Sequence, residues 1–185
     1  VKGREKLDRS TSYVFVANHQ GAYDIFLVYG YLGHKFKWMM KNTLRRIPFV
    51  GAACAAAGFI FVDRSGKGLR ETLAAAEKIL TRGMSLVVFP EGSRTPDGQL
   101  HRFKKGAYQI ADDLSLPVVP MTIDGSYRVL PKSSKIIRPG KITLTIHEPV
   151  YPGADGHYDM DALIDTTYRA IESALPQQGP IANKS

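Results

Sequence analysis

Six short runs of apolar, β-favouring residues alternate with segments of helical period, and this alternation restricts the fold more than any other feature of the chain. The runs are SYVFVA (12–17), FKWMMK (36–41), GFIFVD (58–63), SLVVFP (85–90), PVVPMTID (117–124) and KITLTIHE (141–148). They are apolar at nearly every position instead of every second one, the pattern of strands covered on both faces. Helical patterning predicts helices over 22–32, 43–56, 67–82, 105–114 and 159–175. In the third of these, Leu69, Leu73, Ala76, Ile79 and Leu80 share one face and Gly83 supplies the stop. In the last, Leu163, Thr167, Ala170, Ile171 and Ala174 recur at helical spacing before Pro176. The expectation is one α/β domain over residues 1–175, with a largely parallel central sheet flanked by helices. A polar tail, 176–185, is expected to fray.

With 185 residues and 44% hydrophobic content, the chain has enough material for one substantial core and is not of a disordered class. No apolar run is long and unbroken enough to span a bilayer; the longest, IPFVGAACAAAGFIFV, carries a proline and two glycines. No signal peptide is recognisable, and the first residue is Val, so a trimmed or mature fragment is expected. Cys54 stands alone, which excludes an internal disulfide and a cysteine metal site and points to a reducing cytosolic setting. Residues 1–150 hold 23 Lys/Arg against 12 Asp/Glu, a surplus of 11, whereas 151–185 hold 2 against 5. A basic body suits an anionic partner such as nucleic acid, anionic lipid or a phosphorylated small molecule, and equally a solvated surface.

In open α/β sheets ligands bind beyond the carboxyl ends of strands. Two long segments there, 91–104 and 125–140, are rich in Gly, Pro and basic residues. At the first strand's end the sequence VANHQGAYDIF places His19 five residues before Asp24. On one helix the two would sit about 140° apart and not meet. They meet if His19 lies on the loop and Asp24 in the first helical turn, where the dipole favours a carboxylate. That carboxylate would fix the imidazole tautomer and leave the other nitrogen as a base. The pair alone does not separate this from a capping Asp beside an incidental His.

Three further strand ends carry charge. FPEGSRTPDG presents Glu91 and Arg94 on a loop opened by Pro90 and freed by Gly92, with Lys104 and Lys105 following; a Glu there can bond a polyol, an Arg a phosphate. FIFVDRSG delivers Asp63 and Arg64, and VVPMTIDGS ends in a Gly-Ser turn at Gly125. Lys41 opens a basic segment with Arg45 and Arg46. Local salt bridges would account for each of these singly.

Together, the blocks NHQGAYD, FVDRS, FPEGSRT and VVPMTIDG, in that order over 18–125, resemble the four signature blocks of the glycerolipid acyltransferases, and KNTLRRIPFVG fits the segment between the first two. The chain looks most like the bacterial 1-acyl-glycerol-3-phosphate (lysophosphatidate) acyltransferases over nearly its whole length. Many members have Ser where Gly21 stands, and many carry an N-terminal membrane-embedding segment. The resemblance implies that His19, oriented by Asp24, is the general base on the lysolipid hydroxyl, which attacks acyl-CoA or acyl carrier protein without an acyl-enzyme. It implies that Glu91 binds glycerol hydroxyls and that Arg64, Arg94 and Lys105 neutralise the phosphate. Gly92 and Ser93 would let the loop backbone approach substrate, and Lys41 would stand near the acyl path. No metal and no cofactor beyond the thioester co-substrate is expected. Lysophosphatidate, the acyl carrier and an anionic membrane surface are the expected partners, with no nucleic acid, at the cytoplasmic face of the membrane.

IPFVGAACAAAGFI suits either a wall of an acyl channel or a helix packed on the sheet. Phe36 and Trp38, with Lys35 and Lys37, suit either a membrane-facing patch or core. Another lysolipid acceptor, such as lyso-ornithine lipid or lysophosphatidylcholine, is the alternative within the enzyme class. Against a hydrolase stands the lack of G-x-S-x-G, and against a nucleic-acid-binding domain the lack of a stacking or groove-reading motif.

Overall fold

A computed structural model describes residues 1–47, 49–62, 69–80 and 83–176. The elements are β1 (Val14–Ala17), α1 (Tyr23–Tyr31), β2 (Phe36–Lys41), α2 (Val50–Ala56), β3 (Ile60–Val62), α3 (Leu69–Ile79), β4 (Ser85–Val88), α4 (Gly106–Asp113), β5 (Val118–Asp124), α5 (Ser126–Val129), β6 (Thr143–Ile146) and α6 (Met160–Ser173), with 3₁₀ turns at Arg4–Lys6 and Asn42–Arg46. The strands form one sheet in the order β3-β2-β4-β1-β5-β6. β1 to β5 run parallel, and β6 pairs antiparallel with β5 through Met121–Ile146 to Asp124–Thr143. The expected largely parallel sheet flanked by helices is the fold observed.

Both faces are covered, which explains the near-continuous apolar runs. Along β1, Val14 and Val16 pack towards α3, α4 and α6 with Leu86, Ala76, Tyr108 and Leu163. Phe15 and Ala17 pack on the other face with Val28 of α1, with Leu32 just after it and with Met121 and Ile123 of β5. All four β1 side chains are fully buried, and burying a large aliphatic or aromatic side chain stabilises by about 1.5–3 kcal/mol. Trp38 belongs to this second layer at 1% exposure, so of its two expected placements the core is the one found.

The predicted helix over 43–56 is instead two pieces, a 3₁₀ turn and α2. A proline falls between them in the sequence, and a proline ring disfavours helical backbone at the residue before it. α2 buries Gly51 and Cys54 while Ala52, Ala53, Ala55 and Ala56 stay exposed. Residues 126–129, expected as loop, make the short helix α5. Most of the predicted tail, 177–185, lies outside the described residues. Among the described residues no helix is long and apolar enough to cross a membrane.

Candidate active site

Because β1 lies between β4 and β5, the carboxyl ends of these three strands meet. β1 ends at Ala17, and the side chain of the next residue continues its pairing. Asn18 Nδ2 donates to the Ile123 carbonyl at 2.8 Å, and the Ile123 N–H donates to Asn18 Oδ1 at 2.7 Å. Asn18 is only 1% exposed, so these bonds satisfy its amide and fix the direction in which the chain leaves the strand. His19 follows on the loop, and Asp24 is the second residue of α1.

The two meet. His19 Nδ1 lies 2.8 Å from Asp24 Oδ2, with side-chain exposures of 14% and 0%. The same oxygen accepts the backbone N–H groups of Gln20 and Gly21 at 2.7 and 2.9 Å, and Oδ1 accepts the Ser126 hydroxyl. A carboxylate only accepts, so Nδ1 carries the proton in this contact and the neutral ring's lone pair sits on Nε2. The ring is stacked on Phe89, 4.0 Å between centroids and 7° between planes, and Phe89 stacks on Trp38 at 5.1 Å. Tautomer and ring plane are thus both set by neighbours.

The loop after β4 holds the main chain of His19 at both polar groups. Glu91 Oε1 accepts its N–H at 2.8 Å, and the Thr95 N–H donates to its carbonyl at 2.8 Å. The other Glu91 oxygen accepts the His101 N–H at 3.2 Å. Glu91 is 7% exposed; burial raises its carboxyl to about 7, with the two backbone donors and His101 opposing part of that rise. The turn closes through the Gly92 N–H to the Phe89 carbonyl at 2.9 Å, and Gly92 has φ 79°, where a side chain would be strained.

Of the remaining predicted residues, Ser93 is exposed and Arg94 half-buried. Among the described residues, Arg94 has no carboxylate within ion-pair distance. Lys105, at the start of α4, pairs with Asp161 of α6 at 2.8 Å, the side chains 61% and 85% exposed; with Tyr168 both line a cleft of about 410 Å³. Lys41 ends β2, and Arg64 lies outside the described residues. The structure therefore gathers His19, Asp24 and Glu91, keeps Gly92, Ser93 and Arg94 on the same loop, and commits Lys105 to α6. Asn18, Phe89 and Ser126 were not singled out from the sequence, although each touches the pair or its loop. The Gly-Ser turn after the fifth strand was the available signal for Ser126, but only strand order shows that it reaches β1.

Gly21 is where many proteins of the resembled family have Ser, and here it has no room for a side chain. A Cβ would meet the Ser126 carbonyl oxygen at 2.7 Å and that of Leu130 at 3.1 Å.

The sequence profile described as Acyltransferase matches residues 1–124. The 1-acyl-sn-glycerol-3-phosphate acyltransferase BAT2, chloroplastic, of Brassica napus is 35% identical over 154 residues, 82% of this chain and 44% of its own length. LPAT1, chloroplastic, of Arabidopsis thaliana, of the same description, is 34% identical over the same share of this chain and 43% of its own. The chain thus spans less than half the length of these plant relatives. The crystal structure of the 1-acyl-sn-glycerophosphate (LPA) acyltransferase PlsC from Thermotoga maritima superposes with a TM-score of 0.72 at 32% identity, covering 93% of this chain and 70% of that one.

Proposed function

The chain belongs to the acyltransferase family, and from that premise and the site's geometry we propose that it acylates the free hydroxyl of 1-acyl-glycerol-3-phosphate to give phosphatidate. The donor is an acyl thioester, acyl-CoA or acyl carrier protein. The acceptor hydroxyl gives its proton to His19 Nε2 as its oxygen bonds to the thioester carbonyl carbon. The C–S bond then breaks, and the leaving thiolate takes up a proton from the imidazolium. Asp24 stabilises that imidazolium and keeps Nδ1 protonated. General-base help contributes about 10²- to 10⁴-fold, so positioning and charge stabilisation supply the rest.

The observation that carries this reading is the state of the His19 ring: Nδ1 is committed to a buried carboxylate, while among the described residues Nε2 has no hydrogen-bond partner. Arg94, half-buried and without a carboxylate partner among the described residues, is assigned to the acceptor phosphate, which favours a phosphate-bearing lysolipid. We assign Glu91 to holding the His19 and His101 loops, since both of its oxygens accept backbone N–H groups and it is buried; glycerol hydroxyls are then left to other groups. Work at an anionic membrane surface is supported by the basic surplus of residues 1–150 and by Phe26 and Phe49, which are 69% and 91% exposed.

A mass-spectrometric assay tests the proposal. Lysophosphatidate is offered with acyl-CoA or with acyl carrier protein, and phosphatidate and free thiol are counted separately. Equal amounts of the two, both dependent on lysophosphatidate, are expected. Thiol release without phosphatidate would make the protein a thioesterase, and preference for an acceptor lacking phosphate would remove Arg94 from its assigned place.

A further inference from the structure

Asp24 is a fully buried carboxylate, a state that burial opposes unless donors surround the charge. Its two oxygens are supplied differently. Oδ2 takes three donors from the chain just before it: His19 Nδ1, Gln20 N–H and Gly21 N–H. Among the described residues Oδ1 takes one, the hydroxyl of Ser126, which is 102 residues away in sequence and 0% exposed.

Several local features bring that hydroxyl in. The double bond between Asn18 and Ile123 ties the end of β5 to the exit of β1. Gly125 turns the chain at φ 96°, and a Cβ there would lie 2.2 Å from the Lys141 carbonyl oxygen. On the facing loop, only a glycine at 21 lets the Ser126 backbone come so near. Two glycines with no space for a side chain thus flank one hydroxyl–carboxylate contact.

We propose that Ser126 is a positioning residue for acyl transfer: its hydroxyl holds Oδ1 of Asp24, so that Oδ2 stays in the plane of the His19 ring and keeps the proton on Nδ1. Without it, Oδ1 becomes a buried acceptor with no donor among the described residues. The carboxylate then turns about its Cβ–Cγ bond to share the Oδ2 donors, and the imidazole loses its single tautomer. The effect on turnover rests on the acyl-transfer reading above; the effect on the imidazole does not.

The test uses the full chain with Ser126→Ala and Ser126→Thr. For Ser126→Ala, kcat should fall about tenfold, the loss expected for one buried bond to a charged group, with KM for lysophosphatidate and for the thioester within about twofold. Ser126→Thr, which keeps the hydroxyl, should return kcat to within about threefold of wild type. In an Asp24→Ala background the added Ser126→Ala change should cost less than about twofold, because the group it acts on is gone. Nitrogen-15 spectra of the imidazoles should show one His19 tautomer, protonated at Nδ1, in the wild type and a mixture in Ser126→Ala.

A kcat for Ser126→Ala within twofold of wild type, an undiminished penalty in the Asp24→Ala background, or an unaltered His19 tautomer would each overturn the proposal. If the wild type makes no phosphatidate yet the tautomer responds to Ser126→Ala, acyl transfer fails while the positioning role stands. If the wild type is active and the tautomer does not respond, the positioning role fails alone.

Discussion

The two halves of the proposed site, the His19–Asp24 pair and the cations, are built to different standards. On the proton-transfer side each group is tied down: His19 by Asp24, Phe89, Glu91 and Thr95, and Asp24, among the described residues, by four donors. On the cationic side Arg94 has no carboxylate partner among the described residues, and Lys105 has an exposed one on α6. The difference follows from what each task tolerates. Proton transfer fails when a donor–acceptor geometry drifts by a fraction of an ångström, so the chain supplies that geometry itself. Anion binding asks for charge within reach, and the anion completes the hydrogen bonding when it arrives.

That contrast is broken most directly at its centre. His19→Ala should lower kcat by about 10²- to 10⁴-fold with an unchanged KM for lysophosphatidate and a retained far-ultraviolet spectrum. Turnover within tenfold of wild type would remove His19 as the base, and with it the distinction between the halves. Next in size is Arg94→Ala. A lost charge-assisted bond to phosphate should raise KM for lysophosphatidate about ten- to a hundredfold, leaving kcat and the thioester KM nearly unaltered. An equal loss in kcat would mean that Arg94 acts in the transition state and belongs with the tightly held half.

What could be foreseen from the sequence divides along the same line. The strands were legible because burial on both sheet faces makes them apolar throughout, and α3 because one stripe of Leu, Ile and Ala meets the sheet. The His19–Asp24 contact was legible because both residues lie within one strand–loop–helix unit. Strand order was not, since nothing local in β4 or β5 says that both border β1, and so neither the ring of Phe89 nor the hydroxyl of Ser126 could be placed. The residue type of Glu91 suggested a group that bonds a polyol; that its two oxygens accept N–H groups brought from residues 19 and 101 follows only from the folded loops. The split at 43–56 is signalled in the sequence by Pro48, which outweighs the helical periodicity on both sides of it.

Glu91 sharpens the comparison with a smaller, pH-dependent effect. Its carboxyl is raised to about 7 in the folded protein, against an ordinary value near 4.5. Between those values the folded chain holds a proton that the unfolded chain has released, so stability falls as pH rises through about 7. Glu91→Gln removes the titration. Urea unfolding at pH 5 and 8.5 should show the wild type losing on the order of 2 kcal/mol relative to Glu91→Gln over that range, other groups titrating alike in both. Parallel pH dependences would place Glu91 in a wetter setting and loosen the tightly held half.

The smallest effect belongs to Lys105. Its ion pair with Asp161 is more than half exposed on both sides, where water and salt weaken the attraction and two side chains must be ordered to form it. Lys105→Ala should therefore change kcat/KM for lysophosphatidate by less than about twofold and leave the unfolding midpoint nearly in place. The informative contrast is with Arg94→Ala under the same assay. If Lys105→Ala raises KM for the lysolipid comparably, and added salt weakens binding in the wild type more than in the variant, then Lys105 leaves Asp161 when substrate binds. The cationic half would then reach across the start of α4 to the cleft against α6, and Arg94 would not be its sole anchor.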